Sequence, residues 1–297
     1  MFVFVALQVL LVVAGAARYD QRVCLFSPDG RLLQAEYANE AANKGNLISC
    51  VVSAEGDFVL ATPSQKLENF VDRRSVDKLS FLDDDLWMVF AGLAGDGRVV
   101  VQSARRFCIN YRAQFGCSPS VAAVAKAVGG MLHRSTLSAD SRPLGINVAI
   151  FGFDEANTPS IFVSRATGHV TQWRAFALGK DSPKALDEMG KVLHGDNDDV
   201  AQLSTRATLE RLLSVMNGVH GVKELDDKAL KAKKGRDGQD GGESSGNTLA
   251  GKYDVYMVRR RDAKSGAKGV APTLRSQRTL FHPAVTTVAD LPGEWWL

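Results

Sequence analysis

Residues 26–38 carry the stretch of sequence that decides the fold, FSPDGRLLQAEYA. It opens with Ser27-Pro28-Asp29-Gly30, in which proline presets one backbone dihedral of a reverse turn and glycine tolerates a positive one. Helix-forming residues follow from Arg31 to Lys44, and Gly45 then ends the helix. The pattern predicts a tight turn that leads directly into a helix.

Apolar runs and amphipathic stripes continue along the rest of the chain. The predicted strands are Asn46–Ser53, Asp57–Ala61, Leu86–Phe90, Gly145–Phe153, Ser160–Val163, Val170–Phe176 and Tyr253–Arg259. The predicted helices cover Val100 to Gly116, a segment capped by Ser118-Pro119, a segment capped by Ser182-Pro183, and Val200–Met216. Short connections between such elements predict one α+β sandwich domain, with antiparallel sheets inside and helices outside.

The two ends of the chain and one internal stretch differ in composition from this domain. Residues 1–17 form an uncharged apolar run that ends in small residues, as in a signal peptide, but a basic segment before it is missing. Residues 223–247 are rich in Lys, Asp, Gly and Ser and predict a mobile insertion. We therefore divide the chain into an apolar tail (1–17), a domain (18–262) and a C-terminal tail (263–297).

Charge and cysteine content narrow the range of functions. The net charge is +3, from 36 basic and 33 acidic residues, so the chain as a whole has no electrostatic footprint for nucleic acid. The four cysteines form no CxxC pair, and the five histidines lack the spacing of metal ligands. We expect no metal, no cofactor and reduced thiols.

The stretch at residues 26–38 closely resembles the N-terminal signature of proteasome alpha subunits. Further matches are Phe90-Ala91-Gly92-Leu93 with Asp96 and Arg98, and Arg142-Pro143-Leu144-Gly145. The similarity runs from about Tyr19 to Arg260 and is greatest to the alpha-4 (type 7) kind, from which this chain diverges. The resemblance implies a four-layer αββα sandwich of two antiparallel sheets, the architecture of the N-terminal-nucleophile hydrolases.

The same resemblance implies that no catalytic residue is present. Catalytic members of the superfamily use an amino-terminal Thr, Ser or Cys whose own amine acts as the base. The nucleophile position falls on Asn46 and the supporting acid on Thr62, so only Lys78 remains of the usual threonine, aspartate and lysine set. The predicted helix from Arg31 to Lys44 would also block the site.

Two interaction sites are implied by the family. Tyr19, Asp20, Pro28 and Tyr37 correspond to contacts between subunits that control a gate, although Gln21 replaces the usual arginine and removes a bidentate cation. Lys78 corresponds to a pocket lysine that receives the C-terminal carboxylate of an ATPase activator.

The leading hypothesis is a non-catalytic subunit of the 20S proteasome in the cytoplasm and nucleus. Its implied partners are other alpha subunits in a ring of seven, the beta-ring subunits and the ATPase regulatory particle or other activators; neither nucleic acid nor a membrane is expected. One alternative is an autoprocessed hydrolase that uses a residue such as Cys50. Another is a secreted paralogue that is cleaved near Ala17.

Overall fold

The computed structural model describes residues 22–64, 69–71, 78–154, 156–193, 203–219, 253–259 and 285–287. The helices within these ranges are α1 (Leu33–Asn43), α2 (Ala94–Phe115), α3 (Val121–Leu137), α4 (Ser182–Leu193) and α5 (Thr205–Val219). The strands are β1 (Ile48–Val52), β2 (Phe58–Pro63), β3 (Leu79–Asp83), β4 (Leu86–Gly92), β5 (Ile146–Phe153), β6 (Pro159–Ser164), β7 (Val170–Trp173), β8 (Ala175–Leu178), β9 (Tyr253–Val258) and β10 (Val285–Thr287).

The strands form two antiparallel sheets of five strands each. The order is β10-β9-β2-β1-β8 in the first sheet and β3-β4-β5-β6-β7 in the second. Helices α2 and α3 cover the outer face of the second sheet, and α4 and α5 cover the outer face of the first. The predicted four-layer αββα sandwich is confirmed.

Apolar side chains on alternate strand positions form three cores, one between each pair of adjacent layers. The core between the sheets is aromatic: Phe58 lies 5.1 Å from Phe151, ring centroid to ring centroid, and Trp87 stacks on Phe151 at 6.3 Å. The other two cores are largely aliphatic and lie under the helices. Along β1 and the residue before it, Ile48 and Cys50 face the other sheet, whereas Leu47 and Val51 face the helices. This period of two fixes the register of the strand.

Backbone contacts between glycines hold the end of α1 against the sandwich. A Cβ atom at Gly45 would lie 2.1 Å from the backbone N of Gly92, and one at Gly92 would lie 2.1 Å from the carbonyl oxygen of Gly145. On the other side, the backbone N of Lys180 donates to the carbonyl oxygen of Gly45 at 2.8 Å. Gly92 has a φ of +124°, which L side chains rarely adopt. Only glycine permits this close approach.

An ion pair fixes the start of α2 to the loop before β5. The guanidinium of Arg142 donates to both carboxylate oxygens of Asp96 at 2.7 Å, and the backbone N of Gly145 donates to Oδ2 at 3.0 Å. These donors hold the pKa of Asp96 below its ordinary value, with the Arg142 bond as the largest cause. Two of the sequence motifs are thus joined in space.

Two helix starts differ from the sequence-based predictions. Helix α2 begins at Ala94 rather than Val100. Its early part includes Gly97, which lies beneath the ring of Phe90, where a Cβ atom would be 2.1 Å from Cε2. The N-cap of α3 is Ser120, whose hydroxyl accepts from the backbone N of Ala123. The predicted cap, Ser118, binds Arg112 instead.

The strand predicted over Val170–Phe176 is divided between the two sheets. Strand β7 pairs with β6 in the second sheet, and β8 pairs with β1 in the first, so the chain crosses between layers at Arg174. Strand β3 was not predicted. Three residues of the predicted C-terminal tail form β10, which pairs with β9. The apolar tail and the insertion at 223–247 lie outside the described residues.

The glycine contact can be tested by replacing Gly92 with alanine. The added methyl group collides with backbone and requires an unfavourable φ, so we expect the free energy of unfolding to fall by more than about 2 kcal/mol. Gly130→Ala is the matched control: this residue lies within α3 with open space around it, and alanine there should add about 0.5–1 kcal/mol. Urea denaturation measures both, and equal effects would contradict the account.

The Asp96–Arg142 ion pair predicts a specific pH dependence of stability. The pKa of Asp96 is lower in the folded chain than its ordinary 3.8, so the stabilisation is complete above that pH and is lost as the pH falls through the folded pKa. Asp96→Asn should therefore lower the free energy of unfolding by about 1–2 kcal/mol at pH 7, and by progressively less as the pH falls from about 4 to 3. A constant difference over this pH range would show that the charge plays no part.

Candidate functional site

The N-terminal turn is closed by three hydrogen bonds around Ser27. The backbone N of Gly30 donates to the Ser27 carbonyl oxygen at 2.9 Å, and the backbone N of Ser27 donates to the Arg31 carbonyl oxygen at 2.8 Å. The Ser27 hydroxyl accepts from the backbone N of Arg31 at 3.1 Å. Gly30 has a φ of +75°, as the sequence pattern predicts for this position. The turn sets the direction in which the chain enters α1.

Several exposed side chains surround this turn. Phe26 is 62% exposed and Tyr37 is 49% exposed, and Pro28 also faces solvent. Solvent-facing aromatic side chains of this kind form a surface that a neighbouring protein can cover. The structure therefore presents two of the four predicted gate residues, Pro28 and Tyr37. The other two, Tyr19 and Asp20, lie outside the described residues.

The position implied for a nucleophile is an internal part of the chain. Asn46 follows α1 and Gly45 without a break and precedes β1. A Cβ atom at Gly179 would lie 2.2 Å from the Asn46 carbonyl oxygen, so this peptide segment is packed tightly against the end of β8. An amide side chain at this position supplies neither a hydroxyl nor a thiol for attack.

The other two positions of the implied set, Thr62 and Lys78, do lie together. The Lys78 ammonium donates to the Pro63 carbonyl oxygen at 2.6 Å and to the Thr62 hydroxyl at 3.5 Å. Its charge is balanced by Asp254, whose Oδ2 lies 3.1 Å from Nζ. The Lys78 side chain is only 11% exposed. Three acceptors thus surround the three protons of the ammonium group.

Asp254 is the residue of this cluster that sequence analysis missed. It lies on β9, directly opposite Thr62 on β2. The resemblance places the supporting acid at Thr62, whereas in this chain the carboxylate comes from the neighbouring strand. Lys78 and Asp254 are separated by 176 positions in the chain. The available signal was a single carboxylate, only partly exposed, in the otherwise apolar strand Tyr253–Val258, where such a charge favours a nearby partner.

Cys50, the nucleophile of the hydrolase alternative, lies inside the core between the sheets. Its side chain has no exposure, and burial raises the pKa of its thiol well above the ordinary value. A thiol that is neither ionised nor accessible is a poor nucleophile. No observation therefore favours this alternative.

The described residues contain no group of three or more His, Cys, Asp or Glu side chains that could hold a metal ion. Within the same ranges, no helix is both long enough and apolar enough to cross a membrane.

Comparison with known proteins identifies a matching family and individual relatives. The sequence model of the proteasome subunit family matches residues 42–217, and the model of the N-terminal signature of A-type proteasome subunits matches residues 19–41. The alpha type-7 proteasome subunit of Dictyostelium discoideum is 36% identical over 201 residues, which cover 66% of this chain and 78% of the relative. The alpha type-7 proteasome subunit of Trypanosoma brucei brucei is 34% identical, over 58% of this chain and 70% of the relative.

The alpha type-8 proteasome subunit of Mus musculus is also 34% identical, over 66% of this chain and 79% of the relative. The resemblance to type 7 subunits is confirmed by these relatives. The two family models together cover the chain from the N-terminal turn through most of α5. The chain belongs to the proteasome subunit family and carries the N-terminal signature of its alpha members.

Proposed function

We propose that this chain is a non-catalytic alpha-ring subunit of the 20S proteasome. In this role it joins other alpha subunits in a seven-membered ring, contacts the beta ring, and restricts substrate entry during ubiquitin-dependent protein degradation in the cytoplasm and nucleus. The observation that carries the proposal is the tight packing of the segment from α1 into β1, with Gly45 against Gly92 and Asn46 against Gly179. A chain arranged in this way has no free amine at the nucleophile position.

Affinity purification tests the proposal directly. The tagged full-length chain would be isolated from its native cells under gentle conditions and analysed by native mass spectrometry. We expect it to co-migrate with beta subunits and with other alpha subunits in one large particle. Recovery only as a free or secreted monomer would contradict the ring assignment and support the divergent paralogue.

The exposed turn and helix are proposed to form the gate contact with a neighbouring ring member. Pro28 aims the N-terminal segment, and the hydroxyl of Tyr37, together with Tyr19 and Asp20, bonds across the boundary between the two proteins. Phe26 would supply apolar area to the same contact, since more than half of its side chain is exposed.

Removing the Tyr37 hydroxyl should therefore open the gate. In particles that contain Tyr37→Phe, we expect peptide hydrolysis by the catalytic subunits to rise about two- to fivefold without an activator, because one hydrogen bond that closes the gate is lost. The matched control is Tyr111→Phe, which removes a hydroxyl from α2, away from the turn. Unchanged hydrolysis with Tyr37→Phe would contradict the gate assignment.

Lys78 is proposed to receive the C-terminal carboxylate of an activator, as the resemblance implies. Its ammonium group already contacts three acceptors, and an incoming carboxylate must displace the one that is charged, Asp254. Exchange of one carboxylate for another leaves the lysine paired throughout, which keeps the desolvation penalty of a buried cation low. Activator affinity would then depend on how strongly Asp254 holds Lys78.

Two variants separate this docking role from a purely structural ion pair. Asp254→Asn weakens the competitor, so the activator should bind about three- to tenfold more tightly, whereas Lys78→Met should abolish the contribution of this pocket. Lys184→Met is the control, because this lysine is exposed on α4 and pairs with Asp181, the residue just before that helix. Activator binding to the assembled particle would be measured by titration. Weaker binding with both Asp254→Asn and Lys78→Met would indicate that the pair serves only the fold.

A further inference from the structure

The connection between α2 and α3 contains a serine with an unusual charged neighbour. Ser118 precedes Pro119, and its hydroxyl oxygen accepts a hydrogen bond from the Arg112 guanidinium at 2.6 Å. The same guanidinium nitrogen lies 2.5 Å from Oδ1 of Asp83, the last residue of β3, and 3.1 Å from Oδ2 of Asp84, in the turn between β3 and β4. One nitrogen with two protons thus has three acceptors within reach.

We propose that Ser118 is a phosphorylation site for a proline-directed serine/threonine kinase, and that its phosphate takes Arg112 away from the β3–β4 turn. This goes beyond the ring and gate functions and does not depend on them. The modification transfers the γ-phosphoryl group of a nucleoside triphosphate to the Ser118 oxygen. The bond from the γ-phosphorus to the bridging oxygen breaks, the nucleoside diphosphate leaves, and the hydroxyl proton passes to the catalytic base of the kinase.

The backbone around Ser118 suits an enzyme that reads an extended segment. A residue before proline is restricted to extended conformations, and Ser120 is extended as well, with φ −67° and ψ 155°. Residues 118–120 belong to neither helix, and the Ser118 side chain is partly exposed. Pro119 itself is buried, so a proline-directed kinase, which must contact this proline, reaches the site through local opening of the connection between the helices.

Five of the nine prolines follow a serine or threonine, and the five hydroxyl groups differ in burial and in their neighbours. Thr62 and Ser182 are buried, with 1% and 6% exposure. The Thr158 hydroxyl donates to the Asp154 carboxylate, a neighbour that repels phosphate, and the Ser27 hydroxyl closes the N-terminal turn. Ser118 is the member of this set whose hydroxyl contacts a guanidinium group within the described residues.

The phosphate would change the turn because it is a stronger partner for Arg112 than a carboxylate. It carries nearly two negative charges and offers three acceptor oxygens, so it binds the guanidinium fork preferentially. The Oδ2 atom of Asp83 is buried and has no hydrogen-bond partner among the described residues. Loss of Arg112 would leave the same carboxylate without its cation as well. A buried carboxylate without a cation is unfavourable, so the turn is expected to move towards solvent.

A groove beside this turn provides a way to observe the movement. It has a volume of about 370 Å³ and is lined by Leu82, Asp83, Cys108, Ile109, Arg112 and Ala113. Cys108 is only 1% exposed, and burial together with the nearby Asp83 raises the pKa of its thiol to about 12, while Arg112 acts in the opposite direction. Loss of the Arg112 charge alone would therefore slow alkylation, and only exposure of the thiol can speed it. Opening of the turn would expose this thiol. Its rate of alkylation therefore reports the state of the Arg112 contact.

The first test is phosphorylation of the full-length chain with a proline-directed kinase and ATP. Tryptic cleavage after Arg112 and Lys126 yields one peptide with both Ser118 and Ser120, and fragment ions distinguish them. We expect phosphate on Ser118, none on this peptide in Ser118→Ala, and unchanged modification in Ser120→Asn, which retains a helix-capping side chain. Modification of other Ser-Pro pairs while Ser118 stays unmodified would overturn the site.

The second test measures the consequence, in a Cys24→Ser, Cys117→Ala background that removes both exposed thiols. Phosphorylated protein should react with iodoacetamide at Cys108 about tenfold faster than unmodified protein, while Cys50 stays unreactive. Arg112→Gln should raise the Cys108 rate without phosphate, because it removes the same contact. Equal Cys108 rates with and without phosphate would overturn the switch even if Ser118 is modified.

Discussion

The close backbone contact between Gly45 and Gly92 is the constraint on which the rest of the structure depends. Because neither residue has a side chain, the end of α1 can touch the end of β4, and Gly145 then meets Gly92 from the start of β5. The backbone N of Lys180, two residues after the end of β8, donates to the carbonyl oxygen of Gly45. Gly45 thus contacts segments of both sheets. Helix α1 is thereby held where the superfamily would require a free amino terminus. The proposed non-catalytic role and the orientation of the N-terminal turn thus depend on the same contact.

Local sequence signals predicted the elements whose residues interact mainly with near neighbours. The turn at Ser27–Gly30, helix α1 and the β1–β2 hairpin depend on proline and glycine dihedrals and on apolar alternation, and all were predicted. The start of α2 was not, since Gly97 is a poor helix former and its place beneath Phe90 is visible only after folding. Likewise, no change in the apolar pattern of Val170–Phe176 marks the point where the chain passes from one sheet to the other.

Long-range electrostatic partners were the hardest features to predict. Lys78 was selected because of family resemblance, but Asp254 balances it from a strand that follows the long insertion. The same holds for Arg112, whose two carboxylates and Ser118 come from separate segments of the chain. Each of these clusters places a cation among several acceptors, an arrangement that a competing anion can redistribute. Both proposed interactions, with an activator carboxylate and with a phosphate, use this property.

The state of the bond between Gly45 and Asn46 tests the central claim most directly. The chain would be purified with its particle from native cells, digested with chymotrypsin to avoid cleavage at Lys44, and analysed by mass spectrometry. The account predicts peptides that cross from Gly45 to Asn46, and no new amino terminus at that point, because α1 and the glycine contact remain in the mature protein. If the mature form instead begins at Asn46 or Cys50, the account is contradicted and the chain is an autoprocessed member of the superfamily.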